Sequence, residues 1–281
     1  MAQTSSVEFD HCRELAMRPG SLFEFTSRFI PRSQFNPLLA LYALRQTVRS
    51  IPVSPIDDSV KWAKLKWWSE EFEADPASPS RHPVMRALWL SGARERLTQQ
   101  LLQQLINDAV MQIDTPPDSD INAMFERLAQ LGRTEIQLEL ALDNAEIGHQ
   151  TLNHLAAATR LHGMISGYAV IQGAEREPLP LSLLAKYDLD SARLDYKPRP
   201  AGLSRAVTEL AGLALQWYGE GMAGNKIPVR SGECMHLQLR CAMEKRQLTR
   251  ISKDADVFLE PGNRYRPSDA WFAWRYLRQL K

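Results

Sequence analysis

The sequence predicts an all-α protein, and three observations carry the prediction. Apolar residues recur at three- and four-residue spacing in nearly every segment between breakers, from Phe9 to Leu277. No segment shows sustained period-two alternation bounded by turns, which strands require. Proline and glycine fall between the periodic segments, as at Pro19-Gly20, Pro31, Pro52 and Pro55, and mark the connections. A chain of 281 residues can bury one large helical core, and a single domain over residues 1–281 is expected. There is no internal repeat and no low-complexity tract.

A first helix over residues 9–17 stops at Arg18-Pro19-Gly20. Ser21 with Glu24 then forms a capping box, and Leu22, Phe23, Phe25 and Phe29 follow, so a second helix starts there. Its aromatic-rich face suits an ordinary core and needs no ligand. Pro31 ends it, Pro37 falls in the opening turn of the next helix, and Pro52 with Pro55 closes that one. Within residues 38–53, Leu38, Leu41, Leu44 and Val48 form a buried face, whereas Arg45 and Arg49 stand one turn apart on another. A face with two arginines suits anions rather than metal ions.

Asp57-Asp58 is the only adjacent aspartate pair. It precedes the amphipathic run SVKWAKLKWWSEEFEA, where an N-cap and a first-turn carboxylate satisfy orphan amides and complement the helix dipole. Leu65, Trp68 and Phe72 make the inward stripe of that helix. Residues 75–83 read as a loop. Residues 94–113 read as one long helix, with Leu97, Leu101, Leu105 and Ala109 in register and Leu102 and Ile106 widening the stripe. The next helix begins near Asp120 and buries Leu128, Leu131, Leu138 and Leu142. On it Glu135, Glu139 and Asp143 form an i, i+4, i+8 ladder. Three such acids can hold a cation, although charges on the polar side of an amphipathic helix are ordinarily solvated. A helix over residues 151–171 is rich in Ala and Gly, and the spacing of Gly163 and Gly167 suggests a small-residue packing seam. Helices near residues 203–219 and 232–251, and a last one over 269–281, complete the chain.

An apolar fraction of 44% and seven tryptophans mark a globular protein. Lys and Arg number 34 against 33 Asp and Glu, without the clustered basic excess of a nucleic-acid partner, so none is expected. Cys12, Cys234 and Cys241 are an odd set without C-x-x-C spacing, which argues against a disulfide framework and for buried thiols in a reducing compartment. The first residues include Glu8 and Asp10 and lack a basic and an apolar region, so neither a signal nor a transit peptide is expected. No apolar run approaches the roughly 18–20 residues that span a bilayer. A cytoplasmic protein is expected, with any membrane contact peripheral. The histidines form no H-E-x-x-H pair and no finger spacing, His154 and His162 being ordinary hydrogen-bonded residues in this reading. The common nucleophile and nucleotide signatures are missing.

The segments GSLFEFTSRFIP (20–31), LYALR (41–45), KLKWWSEEFEA (64–74), HPVMRAL (82–88), LPLSLLAKYDLD (179–190) and VFLEPGNRYRPS (257–268) resemble, in order and spacing, the squalene/phytoene synthase family. The resemblance covers roughly residues 10–278. These enzymes join two prenyl diphosphates head to head, so the resemblance implies an isoprenoid-synthase-type helical bundle around a central cavity. In active members the alanine-rich tyrosine segment leads into an Asp-Asp-x-x-Asp motif that holds Mg²⁺ against the diphosphate. Carried over without a gap, its aspartates fall on Arg49, Ser50 and Val53. The second metal motif falls within residues 161–177, where Gly163 stands near the family asparagine, Gly167 near the first aspartate, and no Asp occurs. Phe125 takes the place of a family tyrosine, and Ser69 and Phe72 depart from a Trp-Arg-Glu-Glu-Leu segment.

Prenyl transfer begins by expelling diphosphate, and each metal contact to that leaving group contributes several kcal/mol. Arginines bind diphosphate through forked hydrogen bonds without replacing a multi-metal clamp. The resemblance therefore implies a pseudoenzyme that needs no cofactor and takes a prenyl or lipid ligand, or a protein partner in complex assembly. The mitochondrial complex I assembly factor of the phytoene-synthase type is similar at GMIS (163–166) and at Glu139. The alternative is an active prenyltransferase whose Mg²⁺ is held by displaced acids such as Asp57, Asp58, Glu135 and Glu139. The residues expected at the cavity or at an anion are Arg45, Arg49, Phe125, Glu135, Glu139, Gly163 and Gly167, with no catalytic or metal residue assigned. Because buried unpaired charge is costly, Arg45 and Arg49 are expected to find partners, Glu135 or Glu139 in preference to an anionic head group.

Overall fold

The computed structural model describes residues 7–73, 80–113, 115–168, 178–194, 199–222, 226–230, 233–259 and 265–280. Most of the loop expected at 75–83, the continuation of the 151–171 helix past Tyr168, and the closing PGNR segment (261–264) lie outside them. The described helices are α1 (Val7–Ala16), α2 (Leu22–Thr26), α3 (Arg32–Val53), α4 (Asp58–Glu73), α5 (Pro83–Leu90), α6 (Gln99–Met111), α7 (Ile121–Ala141), α8 (His149–Gly167), α9 (Leu181–Lys186), α10 (Ala201–Gly221), α11 (Met235–Ile251), α12 (Ala255–Leu259) and α13 (Pro267–Leu280). No strand is present among the described residues, and the fold is all-α as the periodicity predicts. No described helix is long and apolar enough to cross a membrane.

Local chemistry sets several boundaries. Ser21 Oγ accepts from the Glu24 amide at 3.1 Å, while the Glu24 carboxylate reaches back to the Gly20 amide at 3.1 Å, one residue earlier than a standard capping box. Asp57 Oδ1 accepts from the Ser59 amide at 2.8 Å and so caps α4, as its position before the amphipathic run predicts. Asp120 accepts from the amides of Asn122 and Ala123 at the start of α7.

Two boundaries differ from the sequence reading. Pro37 lies in the second turn of α3, which begins at Arg32. Past the first turn a proline leaves the carbonyl four residues earlier, here that of Ser33, without its helical donor, a loss set against the burial of Pro37, Leu38 and Leu39. The helix expected over 94–113 is divided into a 3₁₀ turn, Arg94–Arg96, and α6. Thr98 Oγ1 accepts from the Leu101 amide at 3.2 Å, and this cap restarts the chain. Rephasing the helix leaves Leu101 half-buried and sends Leu102, Leu105 and Ile106 inward.

Three apolar clusters form the core. One gathers α1, α3, α4, α5 and α6 around Leu39, Leu41, Leu44, Trp68 and Leu88. A second joins α7, α8, α10 and one face of α11 around Leu128, Leu155, Leu161, Leu210 and Tyr218. The third holds α13 against α2 and α11 through Phe25, Leu239, Met243, Ala273 and Leu277. Each fully buried leucine contributes roughly 1.5–3 kcal/mol. Leu65, Trp68 and Phe72 are the buried residues of α4, as expected.

The small-residue seam of α8 is not at Gly163. A Cβ there would meet nothing within 4 Å, and the residue faces open space. The close approach belongs to Gly132 on α7, where a Cβ would stand 2.6 Å from the Ala156 carbonyl oxygen, and to Gly221 on α10 against Leu155. Those glycines let α7 and α10 grip α8 from two sides.

Candidate functional site

Four helices, α3, α7, α8 and α11, bring a polar cluster into the middle of this apolar bundle. Arg45 and Arg49 come from α3, Glu135 and Glu139 from α7, Thr159, Arg160 and His162 from α8, and His236, Arg240, Glu244 and Gln247 from α11. Spacings of three or four residues put the sets of α3, α7 and α11 each on one face.

Glu135 is the centre of one half. Its carboxylate accepts from Arg45 Nη2 at 2.5 Å, lies 3.3 Å from Arg49 Nη1, and accepts from Arg160 Nη1 at 3.3 Å. Glu139 is the centre of the other half. It accepts from His236 Nδ1 at 2.6 Å, Arg240 Nη2 at 3.0 Å and the Tyr42 hydroxyl at 3.2 Å, with Arg45 Nη1 at 3.5 Å. Arg45 therefore bridges the two acids. Arg240 continues the chain to Glu244 at 3.2 Å, and Glu244 accepts from Tyr218 and from Thr159. His162 Nε2 lies 2.7 Å from Gln247 Oε1.

Both α7 carboxylates are only 3% exposed. Burial by itself would raise Glu135, yet Arg49, Arg45 and Arg160 together hold it well below the usual carboxylate range. Glu139 is likewise raised by burial and held low by Arg240, His236 and Arg45. The Tyr218 phenol is pushed well up by burial and by the neighbouring Glu244, so it stays a donor.

A cavity of about 350 Å³ opens beside the cluster. Four arginines, Arg45, Arg49, Arg160 and Arg240, line it against two glutamates, Glu135 and Glu244. Leu22, Phe23 and Tyr265 supply apolar wall. The Arg49 side chain is 38% exposed, unlike that of Arg45 at 7%. Arginine forks of this kind bind phosphate and carboxylate oxygens.

Of the residues singled out from sequence, Arg45, Arg49, Glu135 and Gly163 line the cavity, and Glu139 sits directly behind it. The solvated reading of the acid ladder is overturned for Glu135 and Glu139, because α7 is packed on several sides and its acids face α3, α8 and α11. Asp143, the third rung, instead accepts from the Cys234 amide at 3.0 Å, where Cys234 is left-handed (φ 50°), at the start of α11. Phe125 is outside the cavity, packed edge-on against Trp217 with ring centroids 5.0 Å apart. Gly167 is buried and is not a lining residue. Sequence reasoning missed Tyr42, Arg160, His236, Arg240 and Glu244. Arg160 alone in an otherwise apolar stretch, and His236, Arg240 and Glu244 at four-residue spacing, were the available signals.

Mg²⁺ takes near-octahedral oxygen ligands, and these residues do not fit it. At the positions that the resemblance assigns to the first aspartate motif, Arg49 joins the ion-pair cluster, Ser50 bonds the Thr47 carbonyl, and Val53 is exposed at the end of α3. Glu135 and Glu139 are saturated by guanidinium and imidazole donors. Asp57 is occupied with Ser59 and Asp58 with Lys61, and neither lines the cavity. Among the described residues no three acids, histidines or cysteines are grouped to hold a metal ion.

The squalene/phytoene synthase family profile matches residues 17–261. No curated protein sequence matches the chain significantly. A crystal structure of a dehydrosqualene synthase in complex with ligand is similar at a TM-score of 0.72 and 14% identity, over 97% of this chain and 95% of that one. Squalene synthase HpnC from Alicyclobacillus acidocaldarius is similar at a TM-score of 0.66 and 16% identity, over 91% of this chain and 95% of that one. Its helices thus have the isoprenoid-synthase arrangement of those two structures, and by the profile match over most of its length the chain belongs to the squalene/phytoene synthase family.

Proposed function

We propose that this family member does not perform metal-dependent prenyl transfer and uses its cavity to bind an amphiphile, a prenyl phosphate or lipid whose anionic head meets the arginine wall. The observation that carries the reading is the commitment of Glu135 and Glu139 to Arg45, Arg49, Arg160, Arg240 and His236. Handing those carboxylates to a metal would leave buried guanidinium groups without counter-charge, which costs several kcal/mol per ion. Three residues of the same wall also carry a buried donor with no acceptor among the described residues: Arg45 Nε, Arg240 Nε and Gln247 Nε2. An oxyanion satisfies such donors. A role in complex assembly is the same non-catalytic reading with a protein as partner, and the arginine-lined cavity favours the small ligand.

Calorimetry with farnesyl diphosphate in the presence of chelator tests the reading, beside a product assay with Mg²⁺. Metal-free binding that Arg49→Ala weakens, with no squalene, phytoene or presqualene product, is expected. Product formation that is lost in Glu135→Gln would overturn it, as would binding that appears only when Mg²⁺ is added.

A further inference from the structure

We infer that the outer face of α13 docks the protein on a lipid surface bearing anionic headgroups. The inward face of this helix is already used, with Ala273, Tyr276, Leu277 and Leu280 packed against Phe25, Met235, Leu239 and Met243. The outward face presents Trp271, Trp274, Arg275 and Arg278 at i, i+3, i+4 and i+7, a strip about 10 Å long. Trp271 is 59% exposed and Trp274 is 51% exposed. Two large indoles on one turn of a solvent face gain nothing from water, whereas an indole is at its most stable where an apolar layer meets a wet one.

The charges around them select the kind of surface. The Arg275 guanidinium lies 5.3 Å from the Trp271 ring centre and that of Arg278 lies 4.7 Å from Trp274, so each indole carries a cation at its side. The only acid of the helix, Asp269, is fully buried and neutralised by Arg246 and Arg250. Lys226 adds a further cation at the C-terminal end, its Nζ donating to the Gln279 carbonyl at 2.7 Å. On the flank, a cavity of about 370 Å³ between α11 and α13 is lined by Lys245, Lys253 and Phe272. Indoles at headgroup depth with guanidinium groups at phosphate level are the combination an anionic bilayer surface rewards. A second copy of this chain is a poorer fit, because a two-fold contact would gather four arginines, Arg275 and Arg278 of each copy, into one interface with no acid from the outward face of α13 to offset them. The inward face stays packed throughout, so docking requires no unfolding.

This inference is independent of the cavity's ligand. Its test is sedimentation of the full chain with vesicles of phosphatidylcholine alone and with vesicles of phosphatidylcholine and phosphatidylglycerol in equal parts. Binding to the mixed vesicles only, weakened by added salt, is expected. Arg275→Gln and Arg278→Gln should each weaken it about fivefold, and Trp271→Ala with Trp274→Ala should abolish it while the far-ultraviolet spectrum stays helical. Should that pair fail to fold, the two arginine variants decide alone. Equal sedimentation with both vesicle types, no sedimentation, undiminished binding by the arginine variants, or a concentration-dependent dimer lost with the tryptophans in place of vesicle binding would each overturn the assignment.

Discussion

Arg45 on α3 donates to Glu135 on α7 at 2.5 Å, and both side chains are almost wholly buried. The contact spans 90 residues of sequence, and both residues line the cavity. A buried pair is weak evidence for net stability when compared with apolar residues of the same size. Breaking it from one side is costly, because the other charge remains in a medium that cannot solvate it.

Glu135→Gln should therefore cost about 3–5 kcal/mol, since Arg45 and Arg160 stay buried with their main counter-charge gone. Arg49→Ala should cost less than about 1 kcal/mol, because its side chain is 38% exposed and water screens it. Urea denaturation of Arg45→Ala, Glu135→Ala and the double variant measures the coupling directly. Additivity to within about 0.5 kcal/mol would mean that the pair is not energetically coupled.

The same acids set an acid limit to stability. Unfolded, each titrates near about 4.3; folded, the arginines hold both lower. Their contribution is thus complete above the unfolded value and is lost as pH falls through the depressed folded values. Scanning calorimetry should show little change from these groups between about pH 7 and 5 and a steep fall in Tm below about pH 4. The double variant Glu135→Gln, Glu139→Gln should start from a lower Tm and fall less steeply; an unchanged slope would contradict the assignment.

Two glycines should respond in opposite directions to alanine. At Gly132 the new methyl meets the Ala156 carbonyl oxygen at 2.6 Å and its carbon at 2.9 Å, both backbone atoms that cannot rotate away. Gly132→Ala should cost about 1–3 kcal/mol through overpacking of α7 on α8. Gly163 has open space and a helical position, so Gly163→Ala should leave stability unchanged or raise it by up to about 1 kcal/mol. Equal losses in Tm for the two variants would place the packing seam elsewhere.

The three thiols should be inert in the native protein. Cys12, Cys234 and Cys241 are buried, and burial pushes Cys12 and Cys241 up to about 12, far from the thiolate form. Ellman's reagent should react at the rate of unfolding, with all three thiols appearing together in denaturant. Fast labelling of one thiol without denaturant would show local opening around it.

The sequence by itself determined the all-α class, most helix boundaries, the caps at Ser21 and Asp57, the start of a helix near Asp120, and the absence of acids where the resemblance expects a metal motif. These are local properties: periodicity, capping and composition act within a turn or two of helix, and a linear reading sees them. It also pointed to Arg45, Arg49, Glu135 and Glu139 as residues of one site. Only the tertiary structure decided that Glu135 and Glu139 are buried hubs, that Arg160, Arg240 and His236 complete them, that Gly132 rather than Gly163 makes the close helix contact, and that Phe125 packs away from the cavity. Whether a charge on an amphipathic helix meets water or a neighbour depends on how many helices surround it. That number is set by packing between segments some 80–100 residues apart, which no local pattern records.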